Sequence, residues 1–258
     1  MPARPLAGRT ALVTGAAVRV GRAIALGLAG AGADVVVHYG GSRDAALATV
    51  RDAEALGVRA VALAADLADP DAIPGLVADA AAAFGRLDIL VNSAARFDRQ
   101  AVGTVTAADW DASMDVNLRA PFLCAQAAAP YLRAAARPDG EGALIVNMAD
   151  LSGVQPWPEH MQHGVSKAGV LHLTRVLARA LAPDIRVNAI VPGAILPPPD
   201  AADGDDWGRL TRKRVPLQRV GDPSDIVRTV LFFAASPFVT GAVLHVDGGE
   251  SLIGPIGR

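Results

Sequence analysis

Three side chains in the second half of the chain have the types and spacing that proton transfer needs. Asp150 ends an apolar run, and His163 and Lys167 lie four residues apart in HMQHGVSKAGV, residues 160–170. This spacing puts an imidazole and an ammonium group on one face of a helix. Imidazole has an unperturbed pKa of about 6.5, so it can act as a general acid or base near neutral pH. The chain has only two lysines among its 24 basic residues, which makes Lys167 a candidate functional group.

The charge of His163 depends on both of these neighbours. The ammonium of Lys167 favours a neutral imidazole, whereas pairing with the Asp150 carboxylate would keep the ring protonated. A metal site would need His160, one further turn back, to converge with His163 and Asp150. Two histidines three residues apart with a cation beside them are poor ligands for a divalent metal, so we expect no metal.

The composition of the chain argues against several classes of protein. Its 258 residues are 52 % hydrophobic, enough for a sizeable core, and a net charge of −2 gives no basic surface for nucleic acid. A single cysteine, Cys124, excludes an intrachain disulfide framework. The apolar run near the N-terminus is too short for a signal peptide or a membrane span. We therefore expect a soluble, cytoplasmic protein that binds neither nucleic acid nor membrane.

Short apolar runs alternate with longer helical patterns along the chain. The patterns predict strands at 10–15, 34–39, 58–66, 87–94, 142–150, 185–193 and 241–249, and helices at 20–31, 42–56, 70–83, 106–136, 160–182 and 223–235. The runs are continuous, which is typical of strands covered on both faces. We therefore expect an α/β fold with one parallel seven-stranded sheet and helices on both faces, in a single domain spanning 1–258. The irregular stretch 194–216 is predicted to be a substrate lid, with a disordered loop as the alternative.

The turn after the first strand is suited to binding phosphate. Gly15 lets the chain leave the strand sharply, and Gly21 lets the following helix approach the sheet. The N-terminus of that helix presents free N–H groups and a positive dipole end. Arg19 stands where a middle glycine is usual. It is either a surface arginine or, as we favour, a guanidinium over the pyrophosphate.

The end of the second strand bears on the choice of nucleotide. An NAD site needs an acidic residue there for the ribose hydroxyls. The sequence VVVHYGGSR instead offers His38, Tyr39, Ser42 and Arg43, which suit a 2′-phosphate. This favours NADPH over NADH.

Several segments together resemble the short-chain dehydrogenase/reductases. They are TGAAVRVG, AADLAD, LVNSAA, MDVNLRAPF, SKAGV, RVNAIVPG and FVTGAVLHVDGG, and they extend from residue 8 to about 250. The resemblance implies one doubly wound Rossmann-type domain, hydride transfer with a nicotinamide cofactor, and a homotetramer.

The resemblance also implies roles for individual residues. Asn117 would hold a proton-relay water, and Lys167 would bind the nicotinamide ribose. The remaining implied cofactor contacts are Gly15, Arg19, Val20 and Gly21 at the phosphates, Asp66 and Leu67 at the adenine, Asn92 and Ala94 at the ribose, and Pro192 and Gly193 at the nicotinamide.

Two positions depart from the catalytic pattern of the family. Its serine is replaced by Asp150, and its tyrosine, the proton donor, is replaced by His163. No other tyrosine is placed to take over, since the chain has only Tyr39 and Tyr131.

Pteridine reductases within the family resemble this chain at the first departure, because they also carry aspartate there. They share the arginine of the glycine turn and the His-Tyr pair that ends strand two. Phe97 matches their aromatic residue that stacks on the pterin, with an ordinary loop anchor as the alternative, and His160 is a further candidate substrate contact. Ala95 and Gly40-Gly41 differ from those enzymes.

Two functions follow as expectations. The first is an NADPH-dependent reductase of a small-molecule substrate, a pterin-like heterocycle or a carbonyl compound, with Asn117, Asp150, His163 and Lys167 as its catalytic group. In it the proton comes either from His163 or from a water relay at Asp150. The second is a non-catalytic NADP(H)-binding protein, a sensor or assembly partner, in which His163 marks lost chemistry.

Overall fold

The computed structural model describes residues 4–136, 143–197 and 207–253 of the chain. Within these ranges, seven strands form one parallel sheet in the order β3-β2-β1-β4-β5-β6-β7. The strands are β1 (Thr10–Val13), β2 (Asp34–Tyr39), β3 (Ala60–Ala64), β4 (Ile89–Asn92), β5 (Leu144–Met148), β6 (Arg186–Pro192) and β7 (Val243–Val246). All seven predicted strands are confirmed. No helix in the described ranges is long and apolar enough to cross a membrane.

The strand order reverses between β1 and β4, and this reversal locates the site. Strands β2 and β3 extend the sheet on one side of β1, and β4 to β7 extend it on the other. In open α/β sheets, ligands bind at the carboxyl ends of the strands beside such a reversal. Gly15, Ala94 and Asp150 all follow strands at this edge.

Helices cover both faces of the sheet, which explains the continuous apolar runs. In β1, Ala11 and Val13 pack towards the layer that contains α1 (Arg19–Gly30), α2 (Arg43–Ala55) and α8 (Pro223–Ala234). Leu12 points to the opposite layer, which contains α3 (Ala72–Phe84), α5 (Ala120–Ala135) and α6 (Met161–Leu181). Successive residues of a strand face opposite sides, so both sets of residues must be apolar.

Local sequence signals set several helix ends. Helix α4 (Ala107–Met114) begins at a capping box in which Thr106 and Asp109 bond each other's backbone N–H groups. Helix α8 begins at a second capping box, formed by Asp222 and Asp225, with Pro223 in its first turn.

The structure corrects three expectations about elements. The predicted helix 106–136 is interrupted by a π-helical segment, Asp115–Arg119, between α4 and α5. The stretch predicted to be irregular contains a helix, α7 (Trp207–Arg214), whose Thr211 is buried, while 198–206 of the predicted lid lie outside the described residues. Strand β7 is not covered on both faces, because it is an edge strand and Leu244 is 40 % exposed.

Candidate active site

The turn between β1 and α1 is shaped by two glycines. Gly15 has φ of +65°, and a Cβ there would lie 2.8 Å from Cα of Ala94. A Cβ on Gly21 would lie 2.2 Å from the carbonyl oxygen of Gly15. Both predictions for these glycines, the sharp exit and the close approach, are confirmed. Among the described residues no side chain caps the N-terminus of α1, so its first N–H groups are available to an anion.

Thr14 fixes the position of this turn, a role that the sequence analysis missed. Its Oγ1 accepts hydrogen bonds from the N–H groups of Ser93 at 2.9 Å and Ala94 at 3.1 Å. The ends of β1 and β4 are thereby held together across the reversal. The sequence does carry a signal for this role, because Thr14 is a hydroxyl residue directly before the turn glycine, Gly15.

Arg19 adopts φ of +54°, a left-handed conformation that glycine usually supplies. Its guanidinium donates a 2.7 Å hydrogen bond to the carbonyl of Pro197, in the segment after β6. The arginine therefore links the glycine turn to the end of β6. Its contact with a pyrophosphate remains a prediction, and so does that of the half-buried Val20 beside it.

His38 does not face the 2′-phosphate, and this prediction is wrong. The ring is 2 % exposed, accepts a hydrogen bond on Nδ1 from Gly15 N–H and contacts the Ala65 carbonyl through Nε2. Burial lowers its pKa against the opposing effect of the Ala65 carbonyl, so the ring is neutral with its proton on Nε2. His38 therefore stabilises the glycine turn through the hydrogen bond from Gly15 N–H. Tyr39 is partly buried, whereas Ser42 and Arg43 are exposed and remain candidates for the phosphate.

The side chain of Asn92 is also turned inward, which corrects its predicted contact with the ribose. Its amide donates 2.8 Å to Oδ1 of Asn147 and joins β4 to β5. The Leu67 side chain is buried in the core, while the exposed Asp66 carboxylate accepts from the N–H of Ala68. Contacts of Asp66, Leu67 and Ala94 with a nucleotide remain predictions.

Asn117 lies in the π segment and is fully buried. Its Oδ1 accepts from Arg96 N–H at 2.8 Å, and its Nδ2 donates to the Arg96 carbonyl at 3.0 Å. Nδ2 also lies 3.1 Å from Oγ of Ser166, whose hydroxyl donates to the carbonyl of His163. The two-point contact fixes the orientation of the amide and of the Arg96 peptide. π-Helical segments are frequent at functional sites.

His163 is buried beside this peptide. Its Nδ1 lies 2.7 Å from the carbonyl oxygen of Arg96. Its Nε2 is buried, has no hydrogen-bond partner among the described residues, and lies 3.7 Å from Oδ1 of Asp150. The predicted approach of His163 and Asp150 is confirmed, at a separation beyond hydrogen-bond length.

Asp150 and Lys167 complete this group. Burial by itself raises the pKa of Asp150, but His163 and the Ser152 N–H lower it below its usual value. Lys167 donates 2.7 Å to the carbonyl of Met148 at the end of β5. Burial lowers the pKa of Lys167 to about 8, against the opposing charge of Asp150. The site therefore holds the Asp150 carboxylate, which follows β5, beside an imidazole and an ammonium of lowered pKa that lie one turn apart on α6.

Aromatic rings form the wall next to His163. Phe97 stacks on His160 with ring centroids 4.3 Å apart and meets His163 edge-on at 4.8 Å. His160 Nδ1 donates to the carbonyl of Asp98, and an ion pair joins Arg99 to Glu159. These contacts hold the loop after β4 against the segment before α6. Phe97 is 41 % exposed, so one part of the ring remains accessible.

The two residues predicted to lie beside the nicotinamide, Pro192 and Gly193, are the last residue of β6 and the residue after it. A Cβ on Gly193 would lie 2.7 Å from Cα of Asp247, which explains the glycine after Pro192. Glu250, also missed from the sequence, accepts from the N–H of Ala194 and lies 3.8 Å from Arg214 of α7. Burial raises the pKa of Glu250. Helix α7 is thereby connected to the segment that follows β6.

The chain matches known proteins along nearly its whole length. A family model described as enoyl-(acyl carrier protein) reductase matches residues 15–251. The chain is 35 % identical over 244 residues to the 3-oxoacyl-(acyl-carrier-protein) reductase FabG of Staphylococcus epidermidis, covering 93 % of this chain and 98 % of the relative.

Two solved structures show the same fold with a nucleotide. The FolM alternative dihydrofolate reductase 1 of Brucella canis, complexed with NADP, is 35 % identical with a TM-score of 0.86, covering 96 % of each chain. A short chain dehydrogenase of Burkholderia cenocepacia in complex with NADP is 38 % identical with a TM-score of 0.86, covering 95 % of this chain and 99 % of that one. The predicted Rossmann-type fold is confirmed.

Proposed function

This chain belongs to the short-chain dehydrogenase/reductase family, and we propose that it is an NADPH-dependent reductase of a pterin-like heterocycle or a carbonyl compound. The observation that carries the proposal is the buried Nε2 of His163, unpartnered among the described residues and 3.7 Å from Asp150 at the carboxyl edge of the sheet. A buried polar atom without a partner is costly unless it serves a ligand or water.

The residues at the first turn fit a dinucleotide. The uncapped N-terminus of α1 and the close approach of Gly15 and Gly21 leave room for a pyrophosphate against backbone N–H groups. The preference for NADPH now depends on Ser42 and Arg43, since His38 is engaged inside the fold. When bound, the cofactor supplies the hydride. The two NADP-bound neighbours support this choice.

Proton transfer is assigned to His163, with Asp150 and Lys167 supporting it. An imidazolium at His163 would donate to the atom that becomes negative as it is reduced. The Asp150 carboxylate favours that charged form, and Lys167 opposes it. Asn117 and the Arg96 peptide hold the ring in place.

The substrate is proposed to be flat. Phe97 and His160 present a stacked pair beside His163, and a planar heterocycle can stack on the accessible part of the phenyl ring. Similarity to an alternative dihydrofolate reductase supports a pterin-like compound. Similarity to FabG supports a carbonyl compound instead.

A homotetramer is part of the proposal. Apolar side chains on α5 and α6 are exposed, among them Phe122 (41 %), Val165 (47 %) and Val176 (49 %). Light scattering on the purified protein tests this, and a monomeric mass would contradict it.

The second candidate is a non-catalytic NADP(H)-binding protein. The observation that favours it is the absence of a phenol at position 163, where the family has its proton donor. Both candidates require binding of NADPH, so turnover is the property that separates them.

The test is NADPH consumption with dihydrobiopterin, a quinonoid dihydropteridine and ethyl acetoacetate, beside calorimetric titration with NADPH and NADH. The reductase predicts turnover of at least one compound and tighter binding of NADPH. Tight NADPH binding without turnover favours the second candidate. Equal or tighter binding of NADH refutes the cofactor preference.

A further inference from the structure

Glu250, in the segment after β7, lies where three other segments of the site meet. Its side chain is buried, and its Oε2 accepts a hydrogen bond at 3.3 Å from the N–H of Ala194, directly after the residues predicted to lie beside the nicotinamide. Its backbone carbonyl accepts a 3.1 Å bond from Nε2 of Gln155, in the segment that follows Asp150. Its Oε1 lies 3.8 Å from Nε of Arg214, the last residue of α7. Glu250 therefore connects the segments after β5 and β6 with α7.

The carboxylate of Glu250 needs the charge of Arg214. A buried carboxylate is costly unless it is paired and hydrogen-bonded. Burial raises the pKa of the Glu250 carboxyl, whereas the Ala194 N–H and Arg214 oppose that rise, and Asp247 and Asp150 add to it. Of the charged groups that act on this carboxyl, Arg214 is thus the one that favours its ionised form.

The chain that leaves α7 is fixed by packing, independently of this ion pair. A Cβ on Gly248 would lie 2.6 Å from Cγ1 of Val215, the residue that follows α7. The N–H of Leu217 donates to the carbonyl of Gly248 at 3.1 Å. The C-terminal end of α7 is therefore anchored beside β7, and the pair between Arg214 and Glu250 adds a charged contact from the helix itself.

We propose that Glu250 is a positioning residue that holds α7 against the site through Arg214, so that loss of its charge raises the KM for the substrate and leaves kcat unchanged. The inference rests on the proposed function, because the substrate is that of the proposed reductase. Helix α7 belongs to the connection that leaves β6 at the carboxyl edge of the sheet, where ligands bind in open α/β folds. Because the Arg214 side chain is 62 % exposed, the expected effect is that of a partly exposed pair, about two- to fivefold.

Hydrogen exchange of the protein without cofactor or substrate tests the ion pair itself. In Glu250→Gln and in Arg214→Gln, the amides of 207–214 should exchange about two- to fivefold faster than in wild type. Glutamine at position 250 keeps an oxygen for the Ala194 N–H, so the change removes only the charge. The double variant should match either single variant, because both changes remove one interaction.

Lys213→Gln is the matched control, because it removes the exposed cation next to Arg214 on the same helix. It should leave the exchange of 207–214 at the wild-type rate. Wild-type exchange in both Glu250→Gln and Arg214→Gln, or equally fast exchange in Lys213→Gln, overturns the inference.

The pH dependence of the same exchange rates identifies Glu250 as the titrating group. The charged groups that face it are Asp150 after β5, Asp247 in the turn after β7, and Arg214 on α7. The ion pair requires an ionised carboxyl, so it is lost as the pH falls through the pKa of Glu250, which burial raises. The ratio of the exchange rates of Glu250→Gln and wild type should therefore fall towards one as the pH is lowered from about 8 to 4. A constant ratio over this range overturns the inference.

Steady-state kinetics separates positioning from catalysis. With whichever of dihydrobiopterin and ethyl acetoacetate is turned over, Glu250→Gln and Arg214→Gln should raise the KM about two- to fivefold, with kcat and the NADPH dissociation constant as in wild type. Arg214→Lys keeps the charge and should keep the wild-type KM. A lower kcat at unchanged KM overturns the inference. Absence of turnover by wild type refutes the proposed function, and hydrogen exchange then still decides whether Glu250 holds α7.

Discussion

Replacing His163 with tyrosine should raise NADPH-dependent reduction, because it restores a proton-donating phenol at this position. A phenol donates its proton without first being charged, and Lys167 one turn away favours the phenolate that remains. General-acid catalysis contributes about 10²–10⁴-fold. The gain should therefore reach at least tenfold even if the new side chain is imperfectly oriented.

The structure indicates which contacts the exchange removes. Tyrosine loses the bond from Nδ1 of His163 to the Arg96 carbonyl, but that carbonyl keeps the bond from Asn117 at 3.0 Å. The cost is therefore that of one ordinary hydrogen bond, about 0.5–1.5 kcal/mol, rather than that of an orphaned buried carbonyl. Fitting the larger phenol at a buried position adds about 1–3 kcal/mol. Urea unfolding measures this difference directly.

His163→Phe is the matched control, because phenylalanine also loses the hydrogen bond to the Arg96 carbonyl and has the ring of tyrosine without its hydroxyl. The assay is steady-state NADPH oxidation with each compound named above, on wild type and both variants. Tyrosine should exceed phenylalanine by about 10²-fold or more. Equal rates for the two variants would refute the reasoning and place the proton donor at another group, with Asp150 the first to test. A tyrosine variant slower than wild type at every pH would show that the pocket is built around imidazole.

Three further outcomes follow from the geometry. Gly15→Ala should lower the free energy of unfolding and the affinity for NADPH by much more than Gly8→Ala does. Both glycines have positive φ, worth about 1–3 kcal/mol of strain, but only at Gly15 does the new Cβ meet backbone, at 2.8 Å. Equal effects of the two variants in urea titrations would contradict this. Burial lowers the pKa of Lys167 to about 8, so between pH 8 and the ordinary lysine pKa the unfolded chain binds more protons than the folded chain. The free energy of unfolding of wild type, relative to that of Lys167→Met, should therefore rise across this pH range by about 3 kcal/mol at most. Lys213→Met, which keeps Lys167, is the control for removing a lysine. Burial raises the pKa of the Cys124 thiol to about 12, so a thiol reagent should label it only after unfolding, and rapid labelling of the native protein would disagree.

Much of the fold followed from the sequence because the signals were local or repeated. Continuous apolar runs predicted all seven strands, since helices cover both faces of the sheet at every strand except β7. The π segment Asp115–Arg119 and helix α7 were missed because neither has a pattern of its own. Helix α7 follows a proline-rich stretch, and its polar sequence resembles a loop.

Part of the candidate site could not be predicted, because side-chain direction depends on packing. His38 and Asn92 have residue types suited to a nucleotide, yet both are turned into the sheet edge by partners on neighbouring strands. The Arg96 carbonyl has no sequence signature at all, since every residue has a carbonyl. By contrast, the grouping of Asp150, His163 and Lys167 follows from helix spacing and from the strand end beside it.

The central claim is that His163 transfers the proton in a reaction that consumes NADPH, and the most direct test compares wild type with His163→Phe at about pH 6. The measurement is kcat/KM for NADPH-dependent reduction, with the NADPH dissociation constant determined by calorimetry on the same samples. We expect the variant to lose about 10²–10⁴-fold in kcat/KM while binding NADPH as wild type does. Equal turnover by the two proteins, or no turnover by wild type despite tight NADPH binding, would contradict the claim.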